Sequence, residues 1–536
     1  MANTFKKVID AQIWRQVNPS PNAHAAALSM CSDLRSGLQR HPFVFSLHSV
    51  AILNRFNIIS KAWQPMTSPA LAGTFGAGST SAFVPSLGLV GTIAAGATTT
   101  SVVISTAFPT AVGVNMLANR GGSGDKGFKL RITDATAGKV EERWIVGNTA
   151  GTAPTITVET AFSFTPATGA RYEILAGRLF LLSSGTMASN AWRSFEVAAN
   201  TLSSGLSITN LPATLTTDSA IVVLDEQYTP YNMAPGEGMV KGAFVYDTGL
   251  SALAATATGA STLTGQATLG DAVVAVNEYR NFQIRIVQDT VTPAAVGQRR
   301  IIASHTVGPS PVYTLGTAWT TQPSSSAKYV IELPNLLILR TTANTTTYTW
   351  NYGDATVNNG TNSIATNAWS ATYFGTAPGA SAVGGMWAPS FGIQPDPARN
   401  ARHSFNYFFR GGAAVTLDLL DIAGSITGTW SGAIAYDGST TNIGTGSTGC
   451  YAPFENEGRM FYVNAYVASA TNQFHRFDVQ NRVLSPYTNT DFIQSGTAAL
   501  GGRMASYCAI DGTDTYDVLL LQSHLSTVCQ ELVVLV

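Results

Sequence analysis

At 536 residues the chain is long enough for two to four domains with sizeable cores, yet only 11% of it is charged, against about 25% in ordinary soluble domains. Gly is abundant at 50, and Thr, Ser and Ala fill most of the other small positions, a composition that suits turn-dense antiparallel sheet and a surface covered by other subunits. A net charge of −1 without any Lys/Arg run excludes tight nucleic-acid binding, which needs a basic stripe to displace phosphate counterions, and leaves room only for transient passage of DNA.

The tight basic pairs are Lys6-Lys7 and Arg299-Arg300, expected at a solvated terminus and a solvated turn. Cys31, Cys450, Cys508 and Cys529 form no CxxC pair, and their spacing fits neither a zinc site nor a small disulfide framework. Free, buried thiols in a protein assembled in reducing cytoplasm are the expectation. No stretch approaches the roughly 20 apolar residues of a membrane span, and Asp10, Gln12 and Arg15 interrupt the place of a signal core.

In chain order, residues 1–40 carry the helical patterning: Phe5, Val8, Ile9, Ile13 and Val17 share one helical face that ends at Asn18-Pro19. From Pro42 onward the chain reads as short strands between Gly, Ser, Asn and Asp turns. Two stretches, 91–176 and 252–335, are copies of one β module. Phe128-Lys-Leu-Arg-Ile132 matches Phe282-Gln-Ile-Arg-Ile286, Arg143-Trp-Ile-Val matches Arg300-Ile-Ile-Ala, Phe162 matches Trp319, and Tyr172-x-Ile174 matches Tyr329-x-Ile331.

A shorter repeat places a large apolar residue, an acid or Asn, and a mostly β-branched residue ahead of another apolar residue. Its copies are Phe56-Asn57-Ile58…Trp63, Phe195-Glu196-Val197…Leu202, Trp350-Asn351-Tyr352…Val357, Phe477-Asp478-Val479…Leu484 and, more loosely, Leu420-Asp421-Ile422…Trp430. A strand, a tight turn and a returning strand satisfy it. Opening strands such as Gly385-Met-Trp-Ala-Pro389, Gly449-Cys-Tyr-Ala-Pro453 and Gly502-Arg-Met-Ala-Ser506 complete blades of three to four strands. Removing an inserted module of about 85 residues from each of the first two intervals brings all the repeat spacings into one narrow range. The body therefore comprises 41–90, 177–251 and 336–536, an all-β, propeller-like ring whose second and third blades carry the inserts. The repeats predict five blades. A sixth is expected from the C-terminal run Cys529-Gln-Glu-Leu-Val-Val-Leu-Val536 joining strands around Phe43–Ile59, which would hide exposed edges.

Chemistry-bearing patterns are sparse. Gly444-Thr-Gly446-Ser-Thr-Gly449 has dinucleotide-loop spacing but precedes a strand, where that motif needs a helix. Asp511-Gly-Thr-Asp514-x-x-Asp517 clusters acids without EF-hand spacing and reads as a hairpin turn. His24, His41, His48, His305, His403, His475 and His524 are scattered and read as core or surface residues. Glu141-Glu142, Asp225-Glu226 and Glu455 with Glu457 would serve a glycosidase only if folding brought two to the required separation. Trp63, Trp350 and Trp387 read as packing between blades rather than a sugar platform. No residue is assigned a catalytic, cofactor or metal role, and no enzyme is expected.

The module Gly297-Gln-Arg-Arg-Ile301, Val312–Leu315, Trp319, Pro323 and Tyr329-Val-Ile331 resembles a short β unit of phage tail and appendage proteins. The whole organisation is similar to the β-propeller tail nozzle of short-tailed phages. That resemblance implies a structural virion component, a tail nozzle or tail-associated ring, assembled in host cytoplasm as a homo-oligomer, six-fold in the nozzle, among other virion proteins. A receptor- or glycan-binding appendage and a head or collar decoration are the alternatives it leaves.

Overall fold

The computed structural model describes residues 14–22, 29–32, 43–48, 52–66, 75, 78–118, 128–215, 219–226, 253–265, 275–308, 310–382, 384–389, 405–412, 416–435, 443, 447–452, 460–465, 473–479, 481–486, 503–511, 514–522 and 527–534. Six four-stranded antiparallel sheets form a six-bladed β-propeller. The first strands of the blades are Met30–Ser32, Thr80–Val84, Ala220–Leu224, Met386–Pro389, Thr448–Ala452 and Arg503–Asp511, and each lies beside the next around a closed ring. Because neighbouring blades cover both its faces, Thr80–Val84 is buried at every residue, so strict apolar–polar alternation is absent there.

Blades 1 to 5 continue outward in sequence order. In blade 1, for example, Phe43–His48, Ile52–Asn57 and Ala62–Met66 follow the first strand. The short repeat is the hairpin between third and fourth strands: Phe56 pairs with Trp63, Phe195 with Leu202, Leu420 with Trp430 and Phe477 with Leu484. Its Asn or Asp has a mechanical reason. Asn57 Oδ1 accepts the Ile59 and Ser60 amides, Asp421 Oδ1 the Ala423 amide, and Asp478 Oδ1 the Asn481 amide, so the side chain closes the turn that reverses the strand. In blade 3 the pattern departs from the expectation. Trp350 pairs with Trp369, while Val357 belongs to a small extra hairpin with Ile364. Asn351 still closes the turn through Gly353. The indoles of Trp192, Trp350 and Trp369 pack with centroids 5.2–5.7 Å apart between blades 2 and 3, an apolar and geometrically specific contact.

Two N-terminal expectations are corrected. Within 1–40 the described elements are strands, Trp14–Val17 and Met30–Ser32; Phe5, Val8, Ile9 and Ile13 lie outside the described residues. The ring closes in blade 6 when Trp14–Val17 pairs with Cys529–Val534, Trp14 opposite Leu532 and Val17 opposite Cys529, and not through Phe43–Ile59, which lies within blade 1. A strand from the opposite end of the chain caps the last sheet's free edge. Across that seam Lys61 Nζ sits 3.0 Å from Glu531, tying blade 1 to blade 6.

The inserts lie between the first and second strands of blades 2 and 3. Their strands run from Leu89–Thr92 to Arg171–Leu175 and from Leu253–Ala254 to Lys328–Glu332. Both pair in one order. Lys129–Asp134 is flanked by Lys139–Asn148 and Arg171–Leu175, as Gln283–Gln288 is by Arg299–His305 and Lys328–Glu332. The chain then adds Thr155–Val158 and Ser101–Val103 in the first module, Val312–Leu315 and Thr262–Thr264 in the second. Tyr172 and Tyr329, at the matched position, are both buried.

Candidate functional site

Two places gather polar chemistry: the joint between the modules and the propeller axis.

At the joint the hairpin turns of the two modules meet edge to edge, with Lys139 opposite Gln288, and Asp289 donates its amide to the Gly138 carbonyl at 2.8 Å. Gly138 is needed there on two counts. Its φ is +65°, and a Cβ would stand 2.3 Å from the Asp289 oxygen. Beneath the turns lie the matched arginines Arg131 and Arg285, each 1% exposed. Both reach Glu226, which follows the first strand of blade 3, and Arg299 joins them at 3.1 Å. Arg131 also holds Glu142 at 2.7 Å and Glu173 at 3.4 Å, Arg285 holds Glu332, and Asp354 bridges Arg171 and Arg299. Burial alone would raise these carboxyl pKa values. The attraction of the arginines outweighs it, so Glu226 is held well below the usual range, Glu142 is lowered and Glu173 falls to about 2.

The solvated-turn expectation for Arg299 is thereby corrected: its side chain is 12% exposed and spent on Glu226 and Asp354. Arg300 points the other way, its guanidinium 5.5 Å above Trp319. Of the acids considered as a catalytic pair, Glu141 is tied to Arg143 at 2.6 Å. Asp225 accepts from Ser86 and Tyr352, and Glu142 and Glu226 meet on one guanidinium. Glu142 and Glu226, lowered by arginines, lack the raised pKa that protonates a leaving group. What this joint does chemically is bind two modules to each other and to the ring.

The axis is bordered by the six first strands and holds two chambers of about 140 and 150 Å³. The first is largely apolar and includes Cys31 and Cys450; burial pushes the Cys31 thiol up to about 12, the Ser81 hydrogen bond opposing, and burial likewise raises Cys450 well above the ordinary thiol value. Both are free thiols, as is Cys529. The second chamber lies at the beginnings of the strands. Ser29, Ser79, Ser219 and Ser447 border it, each directly preceding the first strand of its blade, with Arg503 from blade 6. Sequence reasoning missed this ring. Its signal was the serine ahead of four opening strands, which only a known strand start makes legible. Chambers this small do not pass a duplex whose major groove alone is about 12 Å wide.

The remaining patterns fall as follows. Gly449 lies in the strand Thr448–Ala452, and Gly444 and Gly446 lie outside the described residues. Asp511 pairs with Asp514 across a hairpin turn. His48, His305 and His475 are buried on strands, while His24, His41, His403, His524, Lys6, Lys7, Glu455 and Glu457 are outside the described residues. Trp350 and Trp387 are buried, the latter donating Nε1–H to the Ala220 carbonyl across blades at 3.1 Å; Trp63 is half-buried against Phe56. Among the described residues no three His, Cys, Asp or Glu side chains group as metal ligands, and no helix is long and apolar enough to cross a membrane.

No family model matches the chain, and no curated protein matches it. Solved structures align along nearly the whole chain at low similarity. Sqt1 of Saccharomyces cerevisiae aligns at 10% identity and TM-score 0.27, covering 97% of this chain and all of that one. YCF48 from Cyanidioschyzon merolae aligns at 10% identity and TM-score 0.30, covering 97% and 98%. The NanB sialidase of Streptococcus pneumoniae aligns at 7% identity and TM-score 0.22, covering 98% and 94%. Scores at this level carry no argument about function.

Proposed function

We propose that the protein is a structural component of a tailed-phage virion, a tail nozzle or tail-associated ring made of several copies of this chain, with six favoured, and not an enzyme. The observation that carries the reading is the paired insertion. Two copies of one β module, of the kind that resembles phage tail units, leave adjacent blades at the same point and are locked together by buried ion pairs. A rigid bracket of this sort suits a part that bears load between neighbours. The modules also expose isolated valines, Val114 at 69%, Val276 at 62% and Val307 at 58%, and the chain's low charge favours surface covered by identical neighbours in closed symmetry. The propeller axis is too narrow for DNA, so any passage would run through an opening between copies. The appendage reading asks for exposed aromatic platforms, and Trp350 and Trp387 are buried.

The test is mass measurement on the purified protein together with a particle map. Several copies arranged around one opening, each burying well over about 800 Å² against its neighbours, are expected. A soluble monomer that is absent from particles would overturn the reading.

A further inference from the structure

We infer that Ser46, His48 and Gln522 form a self-acting ester cross-link that ties blade 1 to blade 6 across the seam of the ring. Ser46 and His48 lie two residues apart on Phe43–His48, the second strand of blade 1, so their side chains share one face. Asn54, opposite Ser46 on the next strand, lies on that face too. Gln522 ends Asp514–Gln522, the second strand of blade 6, and meets them from 476 residues away. Ser46 Oγ stands 3.3 Å from His48 Nε2 and 3.5 Å from Gln522 Oε1.

The orientation of both partners follows from their other contacts. Asn54 Nδ2 lies 3.1 Å from His48 Nε2; an amide nitrogen donates, so Nε2 is the accepting nitrogen and can take the serine proton. Gln522 Nε2 lies 3.0 Å from the Asn22 carbonyl; a carbonyl only accepts, so the amide nitrogen faces Asn22 and the amide oxygen faces Ser46. Ser46 and Gln522 are 0% exposed and His48 is 1% exposed. A hydroxyl beside an imidazole is an activated nucleophile, and one closed to outside substrates acts on what the fold sets beside it.

The step balances within the chain. The amide turns about its last torsion so that Cδ meets the hydroxyl, and Ser46 Oγ attacks Cδ as its proton passes to His48 Nε2. The Cδ–Nε2 bond of Gln522 then breaks, and the departing nitrogen takes that proton and leaves as ammonia. One ester bond forms and one amide bond breaks, with no oxidant, reductant or further reactant. Exchanging an amide for an ester is uphill in water. Holding the partners in one rigid seam raises their effective concentration, escape of ammonia draws the exchange forward, and exclusion of water protects the ester. The reaction occurs once per chain and closes the ring covalently where Lys61 and Glu531 already bridge it. It goes beyond the virion reading and does not rest on it.

The experiment is intact-mass measurement of the purified full-length chain, followed by tryptic mapping in denaturant. The chain is expected one ammonia lighter than its sequence, with peptides 41–55 and 504–536 joined. Hydroxylamine should separate them and leave a hydroxamate at position 522. Ser46→Ala and His48→Gln should each restore the sequence mass and give the two peptides separately, whereas Ser46→Thr should keep them joined. Should either of the first two variants fail to fold, the joined peptides and their release by hydroxylamine in the parent chain decide. The inference is overturned if the parent has its full sequence mass with the two peptides separate, if Ser46→Ala keeps the loss of ammonia, or if the loss maps to a succinimide at Asn359-Gly360 instead.

Discussion

The two inserted modules keep one scaffold and carry different charges on it. In each, an aspartate ends the central strand and ties two distant turns. Asp134 takes the amides of Thr136, Ala137 and Ala167, and Asp289 those of Val291, Thr292 and Ser324. In each, an arginine lies over an aromatic ring, Arg143 over Phe162 at 5.2 Å and Arg300 over Trp319 at 5.5 Å. Opposite the matched buried arginines, however, the first module places Glu142 and the second places Arg299. Arg131 therefore has two carboxylates of its own module, Glu142 and Glu173, beside Glu226 from the ring, whereas Arg285 has Glu332 of its own module and shares Glu226 with Arg299. Turn-forming residues are constrained by the module's own backbone; the residue across the strand is constrained by whatever the neighbour brings.

The comparison breaks most severely at Glu226. Glu226→Gln should cost about 3–5 kcal/mol in urea unfolding, because it strands buried guanidinium charge. Glu332→Gln, which loosens Arg285 within the second module, should cost about 1–3 kcal/mol. Equal costs would mean that Glu226 is not the shared anchor.

Next come the aspartates. Asp134→Ala and Asp289→Ala should each cost about 3 kcal/mol, from several backbone donors left without an acceptor, and the double variant should be close to additive. A cost confined to one module would show that the matched hydrogen bonds are not matched in energy.

Acidification should separate the modules. Where the first has Asn148, the second has His305; their amides bond the side chains of Asn115 and Asn277. The His305 ring accepts the Tyr279 amide at 2.9 Å. Burial lowers its pKa from 6.5 to about 4, Arg280 adding to the shift and the bond to the Thr306 carbonyl opposing it. The unfolded chain takes up this proton near pH 6.5 and the folded one only near 4. The contribution to stability is thus complete above pH 6.5 and is lost as pH falls, about 2 kcal/mol between pH 7 and 5. Hydrogen exchange at the two pH values should show the second module losing protection first, and His305→Asn should remove the difference.

The smallest effect belongs to one of the stacked arginines. Arg300→Gln should cost about 0.5–1 kcal/mol, read as a small drop in urea midpoint, whereas Arg143→Gln also breaks a buried pair with Glu141 and should cost about 3 kcal/mol or more. Equal small losses for the two variants would mean that the Arg143–Glu141 pair adds nothing to stability.

The ring itself was legible because the hairpin repeat is local: Asn57, Asp421 and Asp478 act on amides two or three residues ahead, so spacing alone exposes them. Five of the six blades follow from the same motif with the inserts removed, and the sixth from the C-terminal apolar run. The helical reading of the N-terminus is corrected at Val17 for a related reason. Five apolar residues at helical spacing state a local preference, and Trp14–Val17 is instead recruited by an edge more than five hundred residues away in sequence. Arg299 was misread in the same manner, since an Arg-Arg pair looks solvated until Glu226 and Asp354 arrive from other strands.

The sequence by itself determined the all-β class, the duplicated module and the turn chemistry of the blades, because those depend on residues within one hairpin of each other. The tertiary structure decided which strand closes the ring, which carboxylate joins the modules, and that hydroxyls preceding four separate strands converge on one axis. Those are encounters between residues far apart in the chain, governed by burial and charge compensation once the blades have closed, and no local spacing encodes them.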